Sequence, residues 1–324
     1  MGVLIFAECD GGELRPEFWE LVTVAGQLGG EYAVVVATGE TGRVATEAAG
    51  AGAQVHLVED PRLADPWPEG HAEAVATVAG AVEADLLLLP RTVLGSEVAT
   101  RVAIRLGAAQ LHDVTQVERM DGGLQACRPV FGGAVSAALT APKGPFVVVP
   151  RPHAFPAAEP VAPSSAPPVS HPLTFATAPR TSPGVRTRAA PTGAPDIEKA
   201  RVLVAGGNGL GGPEPFQLLG EVAGLLNGAV AASRMACDAG WVPTSLQVGL
   251  TGKTVAPDLY LAVGISGATH HLAGCASAQV IAVINNDRSA PFFKVANVGV
   301  VGDWKDILPA FRDALKEKAG RGPG

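Results

Sequence analysis

Short apolar runs alternate with segments of helical spacing from the first residues onward. Val3–Glu8 is short and apolar, Arg15–Leu28 spaces Phe18, Leu21, Val22 and Ala25 as one helix face, and Tyr32–Ala37 is again a continuous apolar run. Val44–Ala49 reads as helix, Gln54–Val58 as strand, His71–Val82 as helix and Asp85–Leu89 as a four-leucine strand. Gly95–Leu106 is an amphipathic helix with Arg101 and Arg105 on its polar side. Strands buried on both faces lose the polar alternation, so this rhythm predicts a parallel sheet covered by helices on both sides.

The rhythm changes after Gly107. Thr115–Glu118, Ala134–Leu139 and Phe146–Pro150 read as strands between Gly and Pro turns, expected as antiparallel or edge additions to the same sheet. Pro150–Pro195 holds 12 of the 27 prolines, which predicts a mostly extended linker because proline neither donates to a ladder nor continues a helix. Within it, His171–Thr177 alternates and is expected to add one strand to the first domain. Past Ile197 the α/β rhythm resumes. Arg201–Ala205, Ala229–Ala232, Leu259–Val263, Val280–Ile284 and Val298–Val301 read as strands, and Pro213–Leu226, His270–Ala276 and Trp304–Ala319 as helices. The expected fold is α/β, two doubly wound domains with mainly parallel sheets. The first spans 1–190 and ends in the Pro-rich linker; the second spans 197–324.

Composition narrows the function. A net charge of −7 and 5% aromatic residues argue against nucleic acid, which calls for a basic face and stacking platforms. Cys9, Cys127, Cys237 and Cys275 form no CxxC pair and no zinc-type spacing, so no metal is expected and a reduced, cytoplasmic setting is. The N-terminus lacks a charged, signal-like start. Leu259–Ile284 has no Asp, Glu, Lys or Arg, but Ser266, His270, His271 and several glycines divide it into strand, turn, helix and strand, not a membrane span.

The chemistry-bearing groups concentrate between Gly207 and Asp303. Gly207, Gly209 and Gly212 match GxGxxG after a strand, with Asn208 inside the loop, but the strand that should end in a ribose-binding acid ends in Ser233-Arg234. The loop is either a nucleotide contact or a tight turn. Arg234 offers permanent positive charge to a phosphate or an anionic ring; the plainer reading pairs it with Asp238. Gln247-Val248-Gly249-Leu250-Thr251-Gly252-Lys253 ends like a Walker loop without its first glycine, so a turn presenting the Thr251 hydroxyl is expected. Gly264-Ile265-Ser266-Gly267-Ala268-Thr269-His270-His271 follows a strand and opens a helix, a place where N–H groups converge on phosphate. Adjacent histidines face different ways on a helix, which disfavours a metal pair. Asn285-Asn286-Asp287 and Asp303 follow strands and suit hydroxyl groups of ribose or ribityl, or are ordinary Asx turns. No GxSxG and no carboxylate pair stands out for hydrolytic chemistry.

Together, ASR…DAGWVP…LQVG…TGK, VAP-LY-AVGISGA with HLAG, and VIAVIN-D with AP-F resemble the alpha subunit of electron-transfer flavoproteins over Arg201–Leu315. ADLLLLPRTVLGSEVATRVAIRLGA followed by DVT extends the resemblance to the first domain. It implies a nucleotide-hydrolase-like N-terminal domain and a Rossmann-like FAD-binding C-terminal domain. It also implies a heterodimer with a beta subunit, and an electron carrier with no substrate turnover of its own. Electrons would come from dehydrogenases such as the acyl-CoA dehydrogenases of fatty acid beta-oxidation and pass to a quinone oxidoreductase or another acceptor; some members take part in electron bifurcation.

By position, the resemblance implies Arg234 over the flavin ring, stabilising an anionic semiquinone, Thr251 at flavin N5 and His271 near the C2 carbonyl. Ser233, Ser266 and Gly267 would meet the phosphates or ribityl chain, and Asn285 and Asp303 the adenosine end. Asn208, Gln247, Val248, Gly249, Leu250, Gly252, Ala268, Thr269, His270 and Trp304 complete the expected cofactor-binding set. Four positions depart from the family pattern: Asn208 for Arg, Leu250 for Gln, His270 for Gln and Asn286 for Lys. Two other readings of the residues are an NADP-linked oxidoreductase, with Arg234 on a 2′-phosphate, and a non-redox nucleotide-binding module.

Overall fold

The computed structural model describes residues 2–130, 135–164, 166–175 and 196–320, the side chains of 319 and 320 excepted. The chain divides into two compact units, 1–186 and 187–324.

In the first unit the apolar runs become β1 (Gly2–Ala7), the two-residue β2 (Cys9–Asp10) and β3 (Glu13–Leu14), β4 (Tyr32–Thr38), β5 (Gln54–Glu59) and β6 (Ala84–Leu88). The helices between them are α1 (Glu17–Leu28), α2 (Gly42–Ala49), α3 (Pro68–Ala81) and α4 (Val93–Leu106). Further on lie β7 (Ala109–Val114), β8 (Gln116–Met120), β9 (Gly123–Val130), β10 (Val135–Ala141), β11 (Phe146–Pro150) and β12 (Val169–Ser170). Seven strands form one sheet in the order β12-β5-β4-β1-β6-β11-β7, and every pairing in it is parallel. Successive side chains of a strand point to opposite faces. Val3, Ile5, Leu86 and Leu88 therefore pack with α1 on one side, while Leu4, Phe6, Leu87 and Leu89 pack with α3 and α4 on the other.

Two expectations are corrected. Phe146–Pro150 does not add an antiparallel edge; it lies inside the sheet, parallel to both β6 and β7. β8, β9 and β10 leave that sheet for a separate antiparallel one, β10-β9-β8. The alternation of β10 carried that signal, with only Ala141 buried at its end. The proline-rich stretch is also not a free linker where it is described. Phe155 and Phe175 are buried, Val161 N–H donates to Gly50 O at 2.8 Å, and Gln54 Nε2 donates to Pro167 O at 2.8 Å. Proline removes N–H groups but leaves carbonyls and neighbouring N–H groups free to bond. The strand near His171 is Val169–Ser170, parallel to β5; residues 176 and 177 lie outside the described residues, as does the rest of the expected linker to 195.

The second unit contains β13 (Val202–Gly206), α5 (Pro215–Leu225), β14 (Ala229–Ala232), α6 (Arg234–Asp238), β15 (Leu259–Val263), α7 (Thr269–Cys275), β16 (Val280–Asn285), β17 (Val298–Val301) and α8 (Trp304–Gly320). Its parallel sheet runs β14-β13-β15-β16-β17. Leu203, Ala205, Tyr260 and Ala262 face one core, and Val204, Leu261 and Val263 the other. The chain leaves β13 towards β14 and then crosses back to β15. The carboxyl ends of β13 and β15 therefore flank the topological switch point, where open α/β sheets bind ligands. Among the described residues no helix is long and apolar enough to cross a membrane, and no three His, Cys, Asp or Glu side chains gather as a metal site.

Candidate functional site

A cavity of about 530 Å³ opens at that switch point, within the ~300–1,000 Å³ usual for small-molecule sites. Backbone hydrogen bonds join the loops beside it. Gly207 N–H donates to Val263 O at 3.0 Å, Gly209 N–H to Gly264 O at 2.9 Å and Ser233 N–H to Gly206 O at 2.9 Å. The two loops cross so closely that a Cβ on Gly207 would sit 2.3 Å from Gly264 O. Gly264 itself has φ +63°, a left-handed conformation that glycine adopts without strain.

The lining comes from five segments. Asn208 and Gly209 follow β13, Ser233, Arg234 and Met235 follow β14, and Gln247, Val248, Gly249, Leu250 and Thr251 form a loop. Gly264, Ile265, Ser266, Ala268, His270 and His271 follow β15, and Asn285 and Asp287 follow β16. Thirteen of the expected residues therefore meet at one cavity: Asn208, Ser233, Arg234, Gln247 through Thr251, Ser266, Ala268, His270, His271 and Asn285. Gly252, Gly267, Thr269, Asp303 and Trp304 do not line it.

Those five have other work. A Cβ on Gly252 would meet Gln247 O at 2.5 Å and one on Gly267 would meet Phe292 N at 2.5 Å, so both glycines permit close backbone packing. Thr269 opens α7, Asp303 Oδ1 accepts the Lys305 N–H at 2.9 Å and caps α8, and Trp304 Nε1 donates to Gly209 O at 3.1 Å, bracing the loop from behind. Gly209, Met235, Gly264, Ile265 and Asp287 join the lining beyond the expected set. Backbone crossings account for Gly209 and Gly264. Met235 carries no chemical signal in the sequence; it is placed there by following Arg234. The GxGxxG match is only partly realised, because α5 starts at Pro215, beyond Gly212, with Glu214 before it.

The polar groups are poised, with several valences unmet. Gln247 Nε2 donates to Thr251 Oγ1 at 3.1 Å, which leaves the Thr251 O–H proton free to donate elsewhere. Arg234 Nε donates to Asp238 Oδ2 at 3.1 Å, both side chains being exposed. Asn285 spends its amide locally, accepting from Asp287 N–H and donating to Ile265 O, each at 2.9 Å. Ser233 Oγ is buried and has no hydrogen-bond partner, while the His271 ring meets the Tyr260 hydroxyl through Nε2 at 2.9 Å and has a second hydrogen-bond partner in the Val248 backbone. Burial pushes the His271 imidazole down to about 4, against a small upward pull from the Val248 backbone.

A doubly wound parallel sheet with two crossing glycine loops beside a cavity at its switch point defines a Rossmann-like cofactor-binding protein. Comparison with known proteins makes that specific. Residues 196–276 match the electron transfer flavoprotein FAD-binding domain and residues 3–176 the electron transfer flavoprotein domain. The chain is 34% identical to protein FixB of Clostridium saccharobutylicum, over 98% of this chain and 96% of that one. It is 35% identical to the electron transfer flavoprotein subunit alpha of Clostridium acetobutylicum over 95% of each. It is 32% identical to that of Bacillus subtilis over 97% of each. The chain belongs to the electron transfer flavoprotein alpha subunit family, and FAD is its cofactor. The cavity fits a dinucleotide of that kind. Its glycines Gly209, Gly249 and Gly264 let a ligand lie against backbone, and the buried Ser233 Oγ beside it has no hydrogen-bond partner.

Proposed function

We propose that the second unit, taken as 197–324, holds FAD in the switch-point cavity through Asn208, Ser233, Arg234, the loop Gln247–Thr251, Ser266, Ala268, His270, His271 and Asn285. The observation that carries this is a cavity at the switch point lined by the backbone of Gly209, Gly249 and Gly264 beside Ser233, whose buried Oγ has no hydrogen-bond partner. Bound FAD supplies the electron-carrying centre. The protein's part is to bind it, keep water from it and set its electrostatics.

Each group's contribution follows from its chemistry. Arg234 cannot lose its proton, so it holds fixed positive charge at the rim and favours added negative charge nearby. Thr251, its oxygen occupied by Gln247, donates its O–H. Ser266, Ala268 and the loop they share present backbone N–H groups to phosphate before α7. Leu250 and Met235, both exposed, make this rim apolar.

The chain so equipped is the alpha subunit of a heterodimer with an electron transfer flavoprotein beta subunit, working in the cytoplasm. It receives electrons from a partner dehydrogenase and passes them to a quinone oxidoreductase or another acceptor, with no substrate of its own. Purifying the chain together with its beta partner tests this: the complex is expected to be yellow, with one FAD in this cavity. A colourless complex that binds NADPH instead would overturn it in favour of an NADP-linked protein.

A further inference from the structure

Residues 166–175 supply the outermost strand of the first sheet, β12, and carry one titratable side chain, His171. Val169 and Ser170 pair with His56 and Leu57 of β5, the His171 N–H donates to Leu57 O at 2.8 Å, and Gln54 Nε2 donates to Pro167 O at 2.8 Å. Two side-chain anchors add to this. At one, His56 Nδ1 and His171 Nε2 lie 2.9 Å apart, and His56 is buried. At the other, the buried Phe175 ring packs on Trp67 at 4.9 Å and lies under the Arg62 guanidinium at 4.9 Å. A two-residue strand is marginal by itself, so the anchors decide whether the segment stays on the edge.

The other titratable groups near His56 are engaged elsewhere. Asp60 and Arg62 pair with each other, Glu73 on α3 acts on Arg62, and the buried His71 on α3 turns Nδ1 to Trp67 O at 2.8 Å. Glu59, further along β5, accepts from the Thr41 N–H at 3.0 Å. β4 has no Asp, Glu, Lys, Arg or His, and on α2 Arg43 pairs with Glu13 while Glu47 acts on Cys9. The neighbour whose charge acts on His56 is His171.

The state of the pair follows from accounting for protons. With both rings neutral, the N–H of one donates to the bare nitrogen of the other. A first added proton keeps that bond, because the charged ring donates to the ring that is still bare. A second proton puts N–H groups on both facing atoms. The bond is then lost and two like charges face each other. Burial first, and then the His171 charge, holds His56 below its ordinary 6.5. The unfolded chain therefore takes the proton first. The stability of the contact is present above pH 6.5 and is lost as pH falls through the lowered folded value.

We propose that the His56–His171 contact is an acid-sensitive clasp that holds residues 166–175 over the edge of β5. Charging both rings opens it, while Phe175 stays seated on Trp67. Opening uncovers the backbone of His56 and Leu57, so acid gives the first sheet an open edge where neutral pH gives a covered one.

Amide hydrogen exchange of the chain with its beta partner, compared as protection factors at about pH 7.5 and about pH 4.5, tests the clasp. Position 171 is the reporter, since its N–H donates to Leu57 O, and the amides of β1 report on the rest of the unit. Protection at 171 is expected to fall roughly tenfold in acid, about the worth of one hydrogen bond, while β1 stays protected. His171→Gln cannot charge but can donate to or accept from His56, and it is expected to stay protected at both pH values. His171→Ala removes the clasp and is expected to show near neutral pH the low protection that the unaltered chain shows in acid. Equal protection at both pH values in the unaltered chain would overturn the proposal. So would a His171→Gln chain that loses protection in acid, or a His171→Ala chain that keeps it near neutral pH. Loss of the β1 amides together with position 171 would also overturn it, since the unit would then be unfolding as a whole.

Discussion

Arg234 follows the last residues of β14 and opens α6, which puts its charge at the cavity rim by the geometry of the turn. Its contact with Asp238 is an exposed i,i+4 pair, the kind worth only a few tenths of a kcal/mol, so the guanidinium can turn to a ligand at little cost. Arg234→Ala is expected to lower the potential of the first electron added to the complex. Exposure and the Asp238 charge screen the effect, so about 1–2 kcal/mol, or roughly 40–90 mV for one electron, is the expected size. A redox titration showing an unchanged first potential would remove Arg234 from this role. His271 makes a pH prediction. The folded ring titrates near 4 and the unfolded ring near its ordinary 6.5. The unfolded chain therefore binds the extra proton first, and stability present above pH 6.5 is lost as pH falls towards 4. The full shift, 6.5 minus 4, corresponds to about 3 kcal/mol as an upper figure. Chemical denaturation at stepped pH should show this slope in the ligand-free protein, and His271→Gln should flatten it. Arg234 and His271, singled out in the sequence because their residue types carry chemistry, both line the cavity. The Tyr260 contact was not, because a tyrosine inside an apolar strand looks like any core aromatic until the fold shows which atom its hydroxyl meets.

At the scale of elements, the site is a crossing of two loops. Gly207 and Gly264 meet because β13 and β15 are neighbours in the sheet, with β14 on the far side. Gly207→Ala would drive a methyl group into the Gly264 carbonyl, and backbone has nowhere to yield. The expected outcome is loss of FAD from the purified complex and destabilisation of about 1–3 kcal/mol, the usual cost of overpacking; absorbance and melting together check it. Full flavin content in that variant would show that the crossing does not shape the cavity. Sequence periodicity placed the strands of this unit and α5, α7 and α8 to within a residue or two, and it did not mark α6. It did not say that Phe146–Pro150 would enter the first sheet between two parallel neighbours, or that β8, β9 and β10 would form a sheet of their own. A continuous apolar run fits any buried strand, whichever direction its neighbours take.

At the scale of the whole molecule, the chain carries its cofactor cavity in one of two compact units. A ligand that binds only the folded form stabilises it by mass action, by ~2.7 kcal/mol at a hundredfold excess over Kd. Calorimetry of the complex with graded FAD should therefore show a transition whose midpoint rises with free flavin. Denaturation profiles that ignore added FAD would contradict the placement of the cofactor. The proline-rich segment belongs to this scale as well. Composition suggested a spacer, but through residue 175 the chain is held to the first unit by Phe155, Phe175 and the His56–His171 contact at 2.9 Å. Composition reports what a segment can do alone, and not which surface it lies against.

By itself the sequence determined the α/β class, two successive doubly wound halves, a family resemblance and the residue types gathered between Gly207 and Asp303. Local rules suffice for these, because periodicity, turn residues and side-chain chemistry act over a few neighbours. The tertiary structure decided which of those residues share a cavity. It drew thirteen expected residues to the switch point and set Asp303 and Trp304 to capping and bracing. It also left Ser233 Oγ without a hydrogen-bond partner, and put Tyr260 behind His271. Strand order places residues from five separate segments within reach of one ligand, and strand order is settled by packing across the sheet, where no single stretch of sequence holds the information.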